Sequence, residues 1–480
     1  MKTLLCLGVI LLAPVATAAA HVGSPDVYFE DHAGPYPLLV VVRMPAVVPG
    51  VAEIEVHALS DNLSSVHVVP TRIRGLGAEL APVPDLAERD RNDRKLFRAQ
   101  LWIMLRGAWK VQITVEGDKG KGELSVPLAA APTAIRSLEG PLKWLLSGLK
   151  VLLVTGLAGM AGAAVREGMS DPGTIPVAAD RRRARITTVC AALLVVAILA
   201  AGGWWWKAEA AAAAQSAYSI PHVTASLTAP DLLSLKLENS ENGQWAERIR
   251  LDDLVPDHGH LVHLFLFRLP DLDQMYHLHP RQDGTAHFAQ AMPALPAGRY
   301  QMFADIVHAT GFPETQIGEI TLPEIHGGAL QGDDSSWAAM PLNASISSDV
   351  AMLSGGGRML WLHDARLRAG EPLRLRFRVE DGSGQPAVDL EPYMGMPGHL
   401  VLISNDAAVF AHLHTGGSPP MATVELANGP ARTAHSNHFI SAEEITFPYG
   451  FPRAGTYRLF VQVKRAGRIE TAVFKAAVGN

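Results

Sequence analysis

The chain has 480 residues, a formal net charge of −6 and a hydrophobic content of 48%. The acid excess leaves no basic footprint for nucleic acid, and the length suits about three modules of ~100 residues beside any membrane segment. Two cysteines stand against 19 histidines and 14 methionines, so soft metal chemistry would fall to imidazole and thioether rather than thiolate.

Lys2, an apolar run over residues 4–14 and then Ala16-Thr17-Ala18-Ala19-Ala20 read as a secretory signal over 1–20. Cleavage after Ala20 would leave His21 first, with an amine and an imidazole that together chelate copper. Residues 21–130 alternate short β-prone runs (38–42, 54–57, 66–69, 101–105, 109–115) with Gly, Pro, Asp and Asn turns. The closing pattern, 107–115, a turn at Gly117-Asp118-Lys119-Gly120 and 123–126, predicts the last hairpin of an immunoglobulin-like sandwich.

Two apolar stretches follow. The second, 186–206, is free of charge, long enough for a ~30 Å hydrocarbon layer, and ends in Trp204, Trp205 and Trp206. The first, 142–165, contains Lys150, close enough to one end to snorkel, and a small-residue face of Gly156, Ala158, Gly159, Gly162 and Ala163 for helix packing. The loop between them, 166–185, carries Arg166, Arg181, Arg182, Arg183 and Arg185. Positive loops stay in the cytoplasm, so a hairpin in the inner membrane with both large parts facing the periplasm is expected.

Two further β modules are predicted, 218–325 and 339–480, and they share an internal repeat. The second module has Asp253-Leu254-Val255-Pro256, Gly259-His260-Leu261-Val262, His277-Leu278-His279 and Pro296-Ala297-Gly298-Arg299-Tyr300. The third has Asp389-Leu390-Glu391-Pro392, Gly398-His399-Leu400-Val401, His412-Leu413-His414 and Ala454-Gly455-Thr456-Tyr457 in the same order. The fold expected is therefore mainly β, three immunoglobulin-like sandwiches plus a two-helix transmembrane hairpin.

Residues i and i+2 of a strand share a face, so each H-L-H pair presents two imidazoles side by side. If the Gly-His strand pairs with the H-L-H strand, His260 joins His277 and His279, and His399 joins His412 and His414. Met394 and Met396 lie just before His399, with Met421 after the pair, while His258 and His263 flank His260. Imidazole with thioether favours copper, and an HxH with a third His also suits zinc. The competing reading makes these histidines hydrogen-bonding residues of the fold and the methionines packing residues. His308, His435 and His438 read as loop or surface residues. Nucleophile elbow, phosphate loop, HExxH and CxxC motifs are absent, so no enzyme is implied.

The D-L-x-P, G-H-L-V, H-L-H and P-x-G-x-Y pattern resembles small periplasmic immunoglobulin-like domains of the YtkA-like and FixH-like type. That resemblance implies copper handling or cytochrome-oxidase assembly, with a periplasmic copper donor or acceptor, or oxidase assembly proteins, as partners beside the lipid bilayer. The alternative is a scaffold whose sandwiches dock a membrane complex.

Overall fold

The computed structural model describes residues 21–22, 26–59, 63–75, 77–134, 140–168, 173–175, 177–214, 217–239, 250–334, 338–339, 349–363, 366–429 and 444–480. The expected signal, His435 and His438 lie outside them. The protein is mainly β. In the first part of the chain a sheet ordered Val27–Ala33, Tyr36–Arg43, Gly50–Ala58, Leu96–Ile103, Glu88–Arg89 shares a core with one ordered Gly120–Ala130, Gly107–Gly117, Leu63–Arg72, Asp85–Leu86. Val40, Ile54, Phe97, Val111 and Val126 are buried there. The predicted closing hairpin pairs Gly107–Gly117 with Gly120–Ala130 in full register.

The helices are longer than the apolar stretches. Helix α1 spans Gly140–Glu167 and α2 spans Ala178–Ala214, each long and apolar enough to cross a membrane. The arginine cluster therefore lies in the first turns of α2 rather than in a loop. The two helices pack together, but on a narrower seam than five small residues would give. Ala158 and Gly162 are buried, and a Cβ on Gly162 would collide with Thr188, whereas Gly156 and Gly159 meet nothing within 4 Å. The main-chain N–H of Tyr218, past α2, donates to the carbonyl of Pro132, ahead of α1, at 2.8 Å, tying the two tethers.

Beyond the helices come two more pairs of sheets with separate cores. In one, Gly298–His308, His263–Arg268 and Gln274–Leu278 are successive strands, with Pro313–Leu322 on the far side of Gly298–His308. In the other, Gly455–Arg465, His399–Ser404 and Val409–His414 repeat that order, with Arg468–Gly479 outside. The two-residue strand His21–Val22 runs parallel to Val409–Phe410 at the free edge of this sheet, where Ala338–Ala339 lines the corresponding edge of the other.

These two sheets are apolar on both faces. Leu264 and Leu266 enter one core and Leu400 and Leu402 the other, while Phe265, Phe267, Phe303, Val401, Ile403, Phe410 and Phe460 form a cluster of their own. That cluster is a face-to-face contact between the two repeats, with the Phe303 and Phe410 rings stacked at 4.1 Å. A sequence such as His263-Leu264-Phe265-Leu266-Phe267, apolar without alternation, is what burial on both faces demands. A helix not expected from the sequence, α3 at Met421–Asn428, starts after Pro420 and ends at Gly429. It carries Val424 and Met421 into the core of the first part of the chain, so Met421 is a packing residue there.

Candidate metal centre

The histidines continue the inter-repeat face. His263 shares a face with Phe265 and Phe267 along its strand, His277 with Met275, His399 with Val401, and His412 with Phe410. At one end of the apolar contact the side chains change from phenyl to imidazole, and both H-L-H pairs converge there.

The register corrects the alignment read from the sequence. His399 pairs directly with His414, as expected, and Val401 with His412. In the other repeat the strand opens at His263, with Leu264 opposite Leu278 and Phe265 opposite His277. His263, not His260, therefore matches His399. The residues before it match too. Asp257 and His260 bridge around His258 (φ 51°) and Gly259 (φ 86°), and Tyr393 and Met396 bridge around Met394 (φ 50°) and Gly395 (φ 79°). The repeat is a positive-φ turn, His-Gly-His in one copy and Met-Gly-Met in the other, followed by a strand that begins with histidine.

Two groups of three imidazoles result, each with ligand atoms within 4.8 Å of one another: His263, His277 and His279; and His258, His399 and His414. In the first group every ring has its second nitrogen fixed. His263 Nε2 is 3.1 Å from the carbonyl of Asp257, which can only accept, so the proton sits on Nε2. His277 Nδ1 is 2.8 Å from Gln462 Oε1, whose amide is oriented by donation from Nε2 to Thr471. His279 Nδ1 is 2.9 Å from Asp334 Oδ1. The remaining ring atoms, His263 Nδ1, His277 Nε2 and His279 Nε2, turn toward one another. The first two face each other at 3.2 Å in a hydrogen bond whose donor depends on the tautomer, and His279 Nε2 is buried without a hydrogen-bond partner. Ring nitrogens turned toward one another, with outer carbonyl, amide and carboxylate oxygens on the far nitrogens, are the arrangement of imidazole ligands around a cation.

The second group crosses the interface. His258 bonds the main-chain carbonyl of Met394 and sits with its ring centre 5.1 Å from that of His399 and 5.0 Å from that of His414. Both ring nitrogens of the fully buried His399 and Nε2 of His258 lack partners, and Asp257 Oδ2 is 4.0 Å from His414 Nε2. A buried unpaired polar atom costs about 1–3 kcal/mol, and several sit together here.

Burial pushes the pKa values of His263, His277, His279, His399 and His414 well below the usual imidazole value, and the neighbouring histidines push the same way. His258 is lowered for the same reasons, against the nearby Asp257. The rings are neutral, as ligation requires.

Of the expected residues, His277, His279, His399 and His414 fall in these groups. His260 does not: its ring stacks on His279 at 4.0 Å and its Nε2 meets Asp333 Oδ2 at 3.2 Å. His412 stands between the groups, its ring centre 5.4 Å from that of His263 and 5.5 Å from that of His399, with Nδ1 3.4 Å from Asp305. Met394 and Met396 take the turn positions of His258 and His260, and Met396 is buried. His308, expected at the surface, is buried against Asp253. The short Gly-His-Leu-Val match points to His260, whereas the spacing from D-L-x-P points to His263. Counted from Asp253 and Asp389, His263 and His399 fall at the same offset.

Residues 354–480 match a family described as a domain of unknown function, DUF8832. No curated protein matches the chain. Among solved structures, the chain is similar over 90% of its length to 91% of a bacterial ice-binding adhesin at 7% identity and a TM-score of 0.15. It is similar over 94% to 35% of an Escherichia coli alpha-2-macroglobulin at 8% identity and 0.19, and over 94% to 95% of a putative membrane anchored protein from Corynebacterium diphtheriae at 10% and 0.14. With TM-scores this low, these likenesses carry no weight for fold or function.

Proposed function

We propose that this chain is a membrane-anchored copper-handling protein whose sheets face the periplasm and hold metal between the two repeats. The observation that carries the reading is two groups of three imidazoles with ligand nitrogens within 4.8 Å of one another, the rings of one group held by outer oxygens. His279 Nε2, His258 Nε2 and both nitrogens of His399 are buried without hydrogen-bond partners, which histidines serving only the fold would have.

Three imidazoles alone also suit zinc. The Met-Gly-Met turn and the lack of any thiolate outside the signal and α2 favour copper, as does the resemblance to YtkA-like and FixH-like domains. The arginines at the start of α2 support an interhelical segment in the cytoplasm and sheets outside, by the positive-inside tendency. Two ligand groups side by side suit holding and passing on an ion to an acceptor, such as an oxidase assembly protein.

The test is a titration of the detergent-solubilised full chain with copper(I), copper(II) and zinc. Up to two equivalents of copper, bound tighter than zinc and lost in a His263→Ala, His399→Ala double variant that keeps its fold, is the expected result. No binding above a competing chelator would overturn the reading and leave the scaffold alternative.

A further inference from the structure

Both tethers to the helices leave the first part of the chain at one end of its sheets. The main-chain N–H groups of Thr133 and Ala134 both donate to the carbonyl of Ala46 at 2.9 Å, and Tyr218 is bonded to Pro132 next to them. Ala46 lies in the connection between the strands Tyr36–Arg43 and Gly50–Ala58, and Gly50 stands opposite Ile103. Residues 104–106, which follow Ile103, therefore lie at the end from which the chain leads to α1 and α2. Arg72 stands opposite Trp109 at this same end, so the segment 73–84 leaves from it too.

That end presents apolar side chains to the outside. Trp102, Met104 and Leu105 are each more than half exposed, and Leu80 and Val83, in the segment after Arg72, are at least 80% exposed. The 104–106 connection is held rather than slack, because the Trp109 indole N–H donates to the carbonyl of Leu105 at 2.8 Å. Exposed apolar side chains gathered at one place mark an interaction site.

The tethers identify the partner. Helix α2 runs eight residues beyond Trp206, and Tyr218 follows its end by four. At helical rise and then at full extension these span at most ~26 Å, so the exposed loops are held close to the level of Trp204, Trp205 and Trp206. The bilayer is the apolar phase that the chain itself brings to this end. An indole suits the headgroup level, and thioether and leucyl groups suit the layer beneath it.

We propose that Trp102, Met104 and Leu105, together with Leu80 and Val83, enter the surface of the bilayer that α1 and α2 span and dock the first part of the chain on it. The proposal rests on the membrane-spanning reading of the helices and is independent of the metal reading.

The test uses the full chain in lipid nanodiscs, with both native cysteines replaced by alanine and one nitroxide label at a time on Leu105→Cys, Val388→Cys or Leu193→Cys. Power-saturation EPR compares collisions with oxygen, which concentrates in the bilayer, and with a water-soluble nickel chelate. Val388 is fully exposed on a repeat and Leu193 is exposed on α2, so they mark water and lipid. The oxygen-to-nickel ratio at 105 should exceed that at 388 by about fivefold or more, as for a side chain at the headgroup boundary. Adding Trp102→Glu and Met104→Glu should bring it back to the value at 388. A label at 105 that reads as water while 193 reads as lipid overturns this proposal alone, whereas water at 193 overturns the membrane reading with it. A label at 105 shielded from both reagents, as burial against a second copy would make it, overturns the proposal too, and so does a ratio unchanged by the two glutamates.

Discussion

Asp305 and Gln462 occupy one and the same place in their two sheets, and each binds a histidine of the opposite repeat. Asp305 pairs across strands with His263, and Gln462 with His399. Asp305 then meets His412 at 3.4 Å, while Gln462 meets His277 at 2.8 Å. This reciprocity makes the interface an approximate twofold, with each sheet orienting the imidazoles of the other.

Gln462→Ala should lower metal affinity by about 10–100-fold, the range for loss of an outer partner of a ligand. His277 would then be free to change tautomer and turn Nε2 away from His263. Isothermal titration with copper, beside a thermal melt of the metal-free variant, checks it. A large loss of stability with unchanged affinity would mean that Gln462 serves the fold.

Metal-free protein should lose stability as pH falls below about 6.5. For His263, His277, His279, His399 and His414 the folded-state pKa lies below the unfolded value. Between the two values the unfolded chain binds more protons. Each ring then removes up to about 1.4 kcal/mol per pH unit, beginning at the unfolded pKa and ending once pH is below the folded one. Glu314 and Asp334, raised by burial, act in the opposite sense and flatten the lower part of the curve. Denaturant melts from pH 8 to 5 measure the slope, and bound metal should make it steeper, since protons then also displace the ion.

Gly259→Ala should cost about 1–2 kcal/mol, because φ there is 86° and an L side chain is strained in that region. The same change should loosen His258 and weaken the ligand group that crosses the interface. Gly395→Ala (φ 79°) should cost a similar amount of stability and reach His258 only through the Met394 carbonyl that it bonds. Comparing the two variants by melting and by metal titration separates strain from ligation.

His258→Met gives the first turn the residue found at Met394 in the second. The affinity of the group with His399 and His414 should move toward copper(I) and away from copper(II) and zinc, since thioether is the softer donor. Competition with chelators specific for each oxidation state reads the change.

Phe303→Ala should cost about 3–5 kcal/mol, the usual range for a buried phenyl, because its ring is fully buried and stacks on Phe410. Metal binding should fall with it, as the two ligand groups depend on the contact between the sheets. An unchanged copper titration in a destabilised Phe303→Ala protein would show that the histidines assemble without that contact.

The β class, the two apolar helices and the duplicated H-L-H pairs were all legible from period-2 alternation, span length and the recurrence of short motifs. The convergence of the pairs was not, because hydrophobic pattern reports that a face is buried and not what covers it. The unbroken apolar run from Leu264 to Phe267 was the available sign that a second sheet lies on top. The four-letter Gly-His-Leu-Val match singles out His260, and only the fixed offset from the D-L-x-P turn singles out His263. Asp257 shows the same limit. Its carbonyl orients His263 and its carboxylate accepts from the main-chain N–H of Ala422 in α3, contacts made across 6 and 165 positions of chain.

His258, in the turn of one repeat, joins His399 and His414 of the other, and Gln462 of that other repeat holds His277, so neither centre is complete in a lone repeat. A shorter ancestor carrying one such module would have had to self-associate through this face, giving two identical centres related by symmetry. Joining the copies in one polypeptide removes that constraint. The two centres are then free to specialise, and the histidine turn in one copy against the methionine turn in the other is the trace of that freedom.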